Sequence, residues 1–305
     1  MRTLVPTDPG YPALLAPTRP APTLFVRGDL LESDSLAIAI VGSRRPSAYG
    51  VEVAEQLAAD LAARGVTIVS GLARGIDTAA HRGALEAGGR TIAVLGHGLD
   101  LCYPPENRPL ADRIERAGAV VSQFMMGARA EKWHFPERNR TIAGLALGVV
   151  VVEAAERSGA LITAGAAADL GREVYAVPGR ITTETARGPH GLLRDGATLV
   201  RSWMDVVQEI PLPWRGAVRD ALSFDRAAVE SSMSDATAPG VTASLASVLA
   251  LIPTDEPRHI EDVIVQSGLP TARIAATLLA LELRGHVRQL EGQRWIAIGA
   301  RARKA

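Results

Sequence analysis

Several things are scarce in this chain. It has one cysteine, Cys102, among 305 residues, and only four each of tryptophan, tyrosine and phenylalanine. A lone thiol excludes an internal disulfide framework and a four-cysteine zinc site. The six histidines are scattered without an H-E-x-x-H pairing, so the common zinc-hydrolase pattern is missing. Net charge is also absent: 33 basic residues stand against 33 acidic ones. No global field therefore draws the chain to a polyanion, and nucleic-acid affinity has to come from a local basic surface. No apolar run approaches the roughly 20 residues that span a bilayer, and the opening MRTLVPTDPGYPALL lacks the apolar core of a secretory leader. The expectation is a soluble cytoplasmic protein with no membrane partner. Three motifs are missing as well. Without G-x-x-x-x-G-K-[ST] a RecA-type ATPase is disfavoured, without G-x-G-x-x-G the dinucleotide fingerprint is lost, and without G-x-S-x-G at a strand end there is no serine-hydrolase elbow.

What remains is a regular alternation of strands and helices from about residue 35 to residue 210. LAIAIVG is a continuous apolar run, as a strand buried on both faces requires, and VEVAEQLAADLAARG follows with helical periodicity and a glycine stop. VTIVSG, RTIAVLG, AVVSQF, ALGVVVVEAA and EVYAVPG continue the series, with helical patterns between them. This pattern predicts an α/β fold, a doubly wound, mostly parallel, extended Rossmann-like sheet whose ligands bind beyond the carboxyl ends of its strands. Residues 1–34 are proline-rich, with one short strand candidate, TLFVRG, and read as an extended arm on the core, anchored by Tyr11, Leu14, Leu15 and Phe25. Residues 211–242 read as a linker. Residues 243–299 read as three helices and a hairpin turning at Glu291–Gly292, a winged helix, with a short tail at 300–305.

The strand ends carry the candidate site. In IAIVGSRRPSAYG, Gly42 allows a tight turn, Ser43 offers a hydroxyl and an amide, Arg44 and Arg45 bring charge, and Pro46 suits a first helical turn. A plain strand–helix turn with solvated arginines stands beside the anion-binding reading. The next strand ends in VSGLARGIDTAAH, where Ser70 and Gly71 close the strand, Arg74 adds charge, Gly75 permits a left-handed turn and Asp77 is placed to cap the helix. Asp77 and His81 share a helix face, either as a carboxylate–imidazole pair or as a cap and a buried partner. LGHGLD repeats the theme on a third strand, and convergence of all three loops on one cleft is expected. In WHFPERNRTIAG, Arg138 and Arg140 flank Asn139. Their forked cations suit phosphates, Phe135 suits a base, and Trp133 reads as either a platform or core. VVEAAERSGALITAG adds Glu153 and the pair Ser158–Gly159 at a helix start.

Together these motifs resemble the DNA-processing protein A family, also called DprA or Smf, from about Tyr11 to Val207, and the winged-helix-like end also fits. The resemblance implies a Rossmann-like domain that binds single-stranded DNA without breaking bonds and needs no cofactor. It further implies protection of incoming DNA during natural transformation, loading of RecA recombinase in competition with single-strand binding protein, and a homodimer formed through the Rossmann-like domain. By motif match it places Gly42, Ser43, Arg44, Ser70, Gly71, Gly75, Asp77, Arg138, Asn139 and Arg140 at the DNA. Many relatives open with a small helical SAM-like domain, and the expectation here is the arm in its place. Two rivals stand. A phosphoribohydrolase would carry PGG-x-GT-x-x-E, whereas Pro178–Gly179 is followed by no second glycine and Glu184 is wrongly spaced. A duplex-binding regulator would show a more basic recognition helix than one carrying Arg273 and Arg284, with Arg288 and Arg294 in the wing.

Overall fold

The computed structural model describes residues 1–219, 248–253, 257–267, 274, 277–278, 281–282, 286–290 and 294–297. The chain divides into two compact units, Met1–Ala221 and Leu222–Ala305.

In the first unit the apolar runs become strands β1 (Arg2–Leu4), β2 (Leu24–Gly28), β3 (Ala37–Val41), β4 (Thr67–Ser70), β5 (Thr91–Leu95), β6 (Ala119–Ser122), β7 (Gly148–Val151), β8 (Glu173–Ala176) and β9 (Thr198–Leu199). They form one sheet in the order β1-β2-β6-β5-β4-β3-β7-β8-β9. Pairing from β6 through β9 is parallel, with Ile38 opposite Ile68 and Gly148, while β2 is antiparallel to β6 and β1 to β2. The helices are α1 (Ala48–Ala63), α2 (Ile76–Glu86), α3 (Arg108–Ala117), α4 (His134–Gly144), α5 (Gly159–Asp169), α6 (Arg187–Arg194), α7 (Trp203–Glu209) and α8 (Leu212–Arg215).

Strand side chains alternate between two covered faces. Ile38, Ile40, Ile68 and Val150 pack under α1 and α2, whereas Ala39, Val41, Val69 and Val149 pack under α4 and α5. The small residues on the second face, with Ala164 and Ala167 of α5, let that layer sit close to the sheet. The chain runs outward from β3 to β6, then crosses back to β7 on the other side of β3. The loops after β3 and β7 thus leave neighbouring strands toward opposite faces, which is where open α/β sheets hold ligands.

The proline-rich start does more than lie on the core. Its two strands extend the sheet beyond β6, and Tyr11, Leu14 and Leu15 are buried, with Tyr11 donating to the carbonyl of Pro22 at 2.6 Å. At the other end, residues 211–219 differ from the linker read in the sequence. Trp214 and Val218 pack against the α1 face, and the Arg219 amide donates to the Arg64 carbonyl at 2.9 Å. The rest of the expected linker, most of the expected recognition helix and the tail lie outside the described residues.

In the second unit β10 (Arg258–His259), β11 (Val287–Leu290) and β12 (Arg294–Ala297) form an antiparallel sheet in the order β10-β12-β11. A helix spans Ile260–Ser267, and Val263, Leu278, Val287 and Trp295 are buried together. The antiparallel β11–β12 pair is what the expected wing requires.

Candidate nucleic-acid interface

The loops after β3, β4 and β7 and the starts of α4 and α5 enclose a cleft of about 400 Å³ at the carboxyl edge of the sheet. Gly42, Ser43, Arg44, Asp77, Phe135, Arg138, Asn139, Ser158 and Gly159 all line it. A narrower crevice beside it is bounded by Arg44, Gly71, Arg74, Gly96, His97, Phe135 and Arg138, so the third glycine-rich strand end joins the same region. Arg45, Ser70, Gly75 and Arg140 line neither.

The second loop is built to be rigid. Gly75 has φ of 79°, and a Cβ there would run into the Ser43 carbonyl and reach Pro46 Cδ at 2.7 Å, so only glycine lets the two loops touch. The Ile76 amide then donates to the Ser43 carbonyl at 3.1 Å. Leu72, fully buried, holds a left-handed φ of 54°, a conformation that disfavours a branched side chain. Asn107 pins it by donating from Nδ2 to the Leu72 carbonyl at 2.9 Å. Asp77 does not cap its helix. Gly75 takes the cap position, and the Asp77 carboxylate instead accepts from the amides of Gly71 at 3.2 Å and Ala73 at 3.4 Å, stitching the preceding loop. Ser70 is likewise internal, its hydroxyl donating to the Ile40 carbonyl at 2.6 Å.

Arg138 is the buried cation of the site, 5% exposed. Its Nη1 donates to the carbonyls of Gly71 and Val94, both at 2.6 Å, and its Nε donates to Asn139 Oδ1 at 3.1 Å. Burial pushes its pKa down to about 10, with the nearby Asp77 acting the other way. Burial raises the Asp77 pKa, against the Arg138 charge and the two loop amides. Arg138 therefore braces the cleft floor and is not the open phosphate clamp expected of it. Asn139 donates to the Gly159 carbonyl at 3.0 Å, fastening α4 to the start of α5. Arg140 faces away and sits 3.9 Å from Asp169 at the far end of α5.

Arg44 is the exposed cation of the cleft. Its guanidinium lies 4.9 Å from the centroid of the half-buried Phe135 ring, with Arg138 5.8 Å from the same ring. Phe135 is thus covered by arginine, not left as an open platform. Trp133 is the exposed aromatic nearby in sequence, at 58%, while His134 takes the interior position beside Phe124. Arg74 is exposed and paired with Glu106.

The helix ends differ in what they offer. The α1 N-terminus, expected to present free amides to a phosphate, is already occupied. Glu153 accepts from the Ser47 amide at 2.9 Å and from the Ser47 hydroxyl at 2.5 Å, and Ser47 Oγ accepts from the Gly50 amide at 3.1 Å. The α5 N-terminus opens into the cleft, capped by Ser158 and starting at the exposed Gly159. An anion there meets the positive end of an 11-residue helix in a cleft that Arg44 also lines.

His81 is no partner for Asp77. It is fully buried, 2.7 Å through Nδ1 from Thr91 Oγ1, which spends its own proton on the Ile68 carbonyl, so Nδ1 carries the hydrogen. The sequence reading missed Leu72, Asn107 and the capping role of Glu153. A serine ahead of a helical run does mark the α1 cap, but nothing local marks its acidic partner.

Comparisons with known proteins agree with the fold. The model of DNA recombination-mediator protein A matches residues 2–211, and that of the DprA winged helix domain matches residues 232–293. Protein Smf of Escherichia coli K12 is 39% identical over 292 residues, 95% of this chain and 76% of its own. The DNA processing protein DprA of Streptococcus pneumoniae is 46% identical over 203 residues, 66% of this chain and 72% of its own. The X-ray structure of DprA from S. pneumoniae aligns with a TM-score of 0.65 at 45% identity, covering 69% of this chain and 75% of that one. DNA processing protein A from Helicobacter pylori, solved for its single-stranded DNA binding mode, aligns at 0.61 with 28% identity, covering 68% and 94%. No helix among the described residues is long and apolar enough to cross a membrane. With both family models matching in order along its length, the chain belongs to the DNA recombination-mediator protein A family and ends in a DprA-type winged helix domain.

Proposed function

We propose that the cleft between the β3 loop and the α5 N-terminus binds single-stranded DNA at equilibrium and breaks no bond in it. The observation that carries this reading is Arg44, an exposed cation that lines the same cleft as the solvent-facing start of α5, while Asp77 and Arg138 are each hydrogen-bonded within the protein. A phosphate between Arg44 and the start of α5 meets a forked donor and a favourable dipole. Bases stack on the outer side of the Arg44–Phe135 pair, or on Phe135 once Arg44 swings to a phosphate. The second acidic group near the cleft, Glu153, is committed to capping α1 and is not poised to attack a glycosidic bond.

Family membership supports the wider role. The chain coats and protects incoming single strands, hands them to RecA recombinase in competition with single-strand binding protein, and works as a homodimer joined through its Rossmann-like unit, in the cytoplasm. It is a mediator and not an enzyme. The test is a titration of single-strand and duplex oligonucleotides alongside an assay for released base. Single strands bind more tightly than duplex, affinity falls with salt at a log–log slope of about 0.7 per neutralised phosphate, and no base appears. Released base would make the protein a glycosidic hydrolase. Preference for duplex would make it a winged-helix regulator.

A further inference from the structure

A second cleft, of about 540 Å³, lies beyond the carboxyl ends of β7 and β8 and is lined by Ser47, Tyr49, Glu153, Pro178, Arg180 and Thr183, among others. It flanks the same crest as the first cleft. Ser47 here and Arg44 there belong to one loop, and Glu153 here and Ala155 there belong to another. Two and three residues span at most about 7 and 11 Å of chain, so a strand leaving the first cleft over this crest comes down in the second within a few nucleotides.

Its chemistry suits a nucleotide. Tyr49 stands on the first turn of α1, 47% exposed, and its hydroxyl donates to the Pro178 carbonyl at 3.1 Å, which fixes the ring at the cleft wall. Arg180 is exposed and has no carboxylate within ion-pair distance among the described residues. Ser47 and Thr183 add hydroxyls. Glu153, its oxygens turned to Ser47, makes the floor unfavourable for phosphate and leaves the phosphate to Arg180 at the mouth.

We propose that this cleft is a second subsite for the same single strand, with a base against Tyr49 and its phosphate on Arg180. The inference rests on the reading of the first cleft as a single-strand site. Arg180 is a surface side chain whose removal leaves the core untouched.

The test is fluorescence titration of oligothymidylates of increasing length against the full chain, Arg180→Ala, Tyr49→Ala, Tyr49→Phe and Arg44→Ala. Arg180→Ala binds the shortest oligonucleotides as the wild type does, but loses about tenfold on long ones, where its salt slope drops by about 0.7. Tyr49→Ala shows the same length dependence, and Tyr49→Phe retains binding because the ring remains. A long oligonucleotide carrying 5-iodouracil crosslinks to Tyr49. If Arg44→Ala weakens every length while Arg180→Ala and Tyr49→Ala change none, the second subsite is overturned and the first stands. If Arg44→Ala also changes nothing, the parent reading fails. Saturation of the second cleft by a free mononucleotide, with no loss of strand binding, would overturn the subsite as well.

Discussion

Gly71 is, with Gly75, one of the two tightest glycines of the site. A Cβ on it would meet Arg138 Nη1 and come within 2.6 Å of Arg138 Cζ and 2.7 Å of Asp77 Oδ2. Gly71→Ala therefore displaces the guanidinium from the Gly71 and Val94 carbonyls, and a loss of about 1–3 kcal/mol in urea unfolding is expected. The two arginines of the HFPERNR stretch show where residue-level reading stops. Both were expected at phosphates, yet positions two apart on a helix point about 200° from one another. Arg138 turns in beneath the loops and Arg140 turns out to Asp169. Residue type announced the cations, and only the helix phase sorted them. His81 gives a pH prediction. Burial, and then the Arg138 charge, holds its pKa at about 3, against 6.5 for an ordinary imidazole. Between those values the unfolded chain takes up a proton that the folded chain refuses. Stability from this group is thus complete above about pH 6.5 and falls as pH is lowered toward 3, by up to about 1.4 kcal/mol per unit. Urea midpoints measured from about pH 7 down to about pH 4 should show this slope in the wild type and a flatter one in His81→Gln.

Among the elements, α1 illustrates a cap supplied from far away. Glu153 follows β7, 106 positions from Ser47 in sequence, yet it accepts from both the amide and the hydroxyl of that N-cap residue. Its negative charge faces the positive helix end. Glu153→Gln removes that charge and turns an amide donor toward another donor, so a loss of about 1–2 kcal/mol is expected, read as a lower thermal midpoint. A neutral outcome would show that the hydroxyl alone caps the helix. The strands and helices themselves were legible, because continuous apolar runs ended by glycine are local signals, as β3, β4 and β5 show. The convergence of their loops was legible too, since parallel strands put their carboxyl ends on one edge. Which helix end stays open was not. It depends on which of two similar termini receives a carboxylate from a strand that neighbours it only in the folded sheet.

For the whole molecule, separation into two units has a consequence for where affinity resides. All the residues of the proposed cleft, and the packing of Trp214 and Val218, lie within Met1–Ala221. A chain ending at Ala221 should fold with a single cooperative transition and keep single-strand binding in a gel shift. Complete loss of binding by a folded truncation would move the main site to the winged helix. The boundary matters: cutting at Pro211, as the proline-rich pattern suggests, would strip a packed helix from α1. The arm is the other whole-molecule feature that composition underdescribes: TLFVRG reads as a short strand, but nothing in the proline-rich start signals that Arg2–Leu4 pairs with it or that both extend the sheet. The most direct test of the central claim, that an exposed arginine and an open helix end hold a strand through its phosphates, is the salt dependence of oligothymidylate binding by wild type and Arg44→Ala. The expected result is about tenfold weaker binding by the variant, a log–log slope shallower by about 0.7, and an unchanged unfolding midpoint. Equal affinity and equal slope in the two proteins would contradict it.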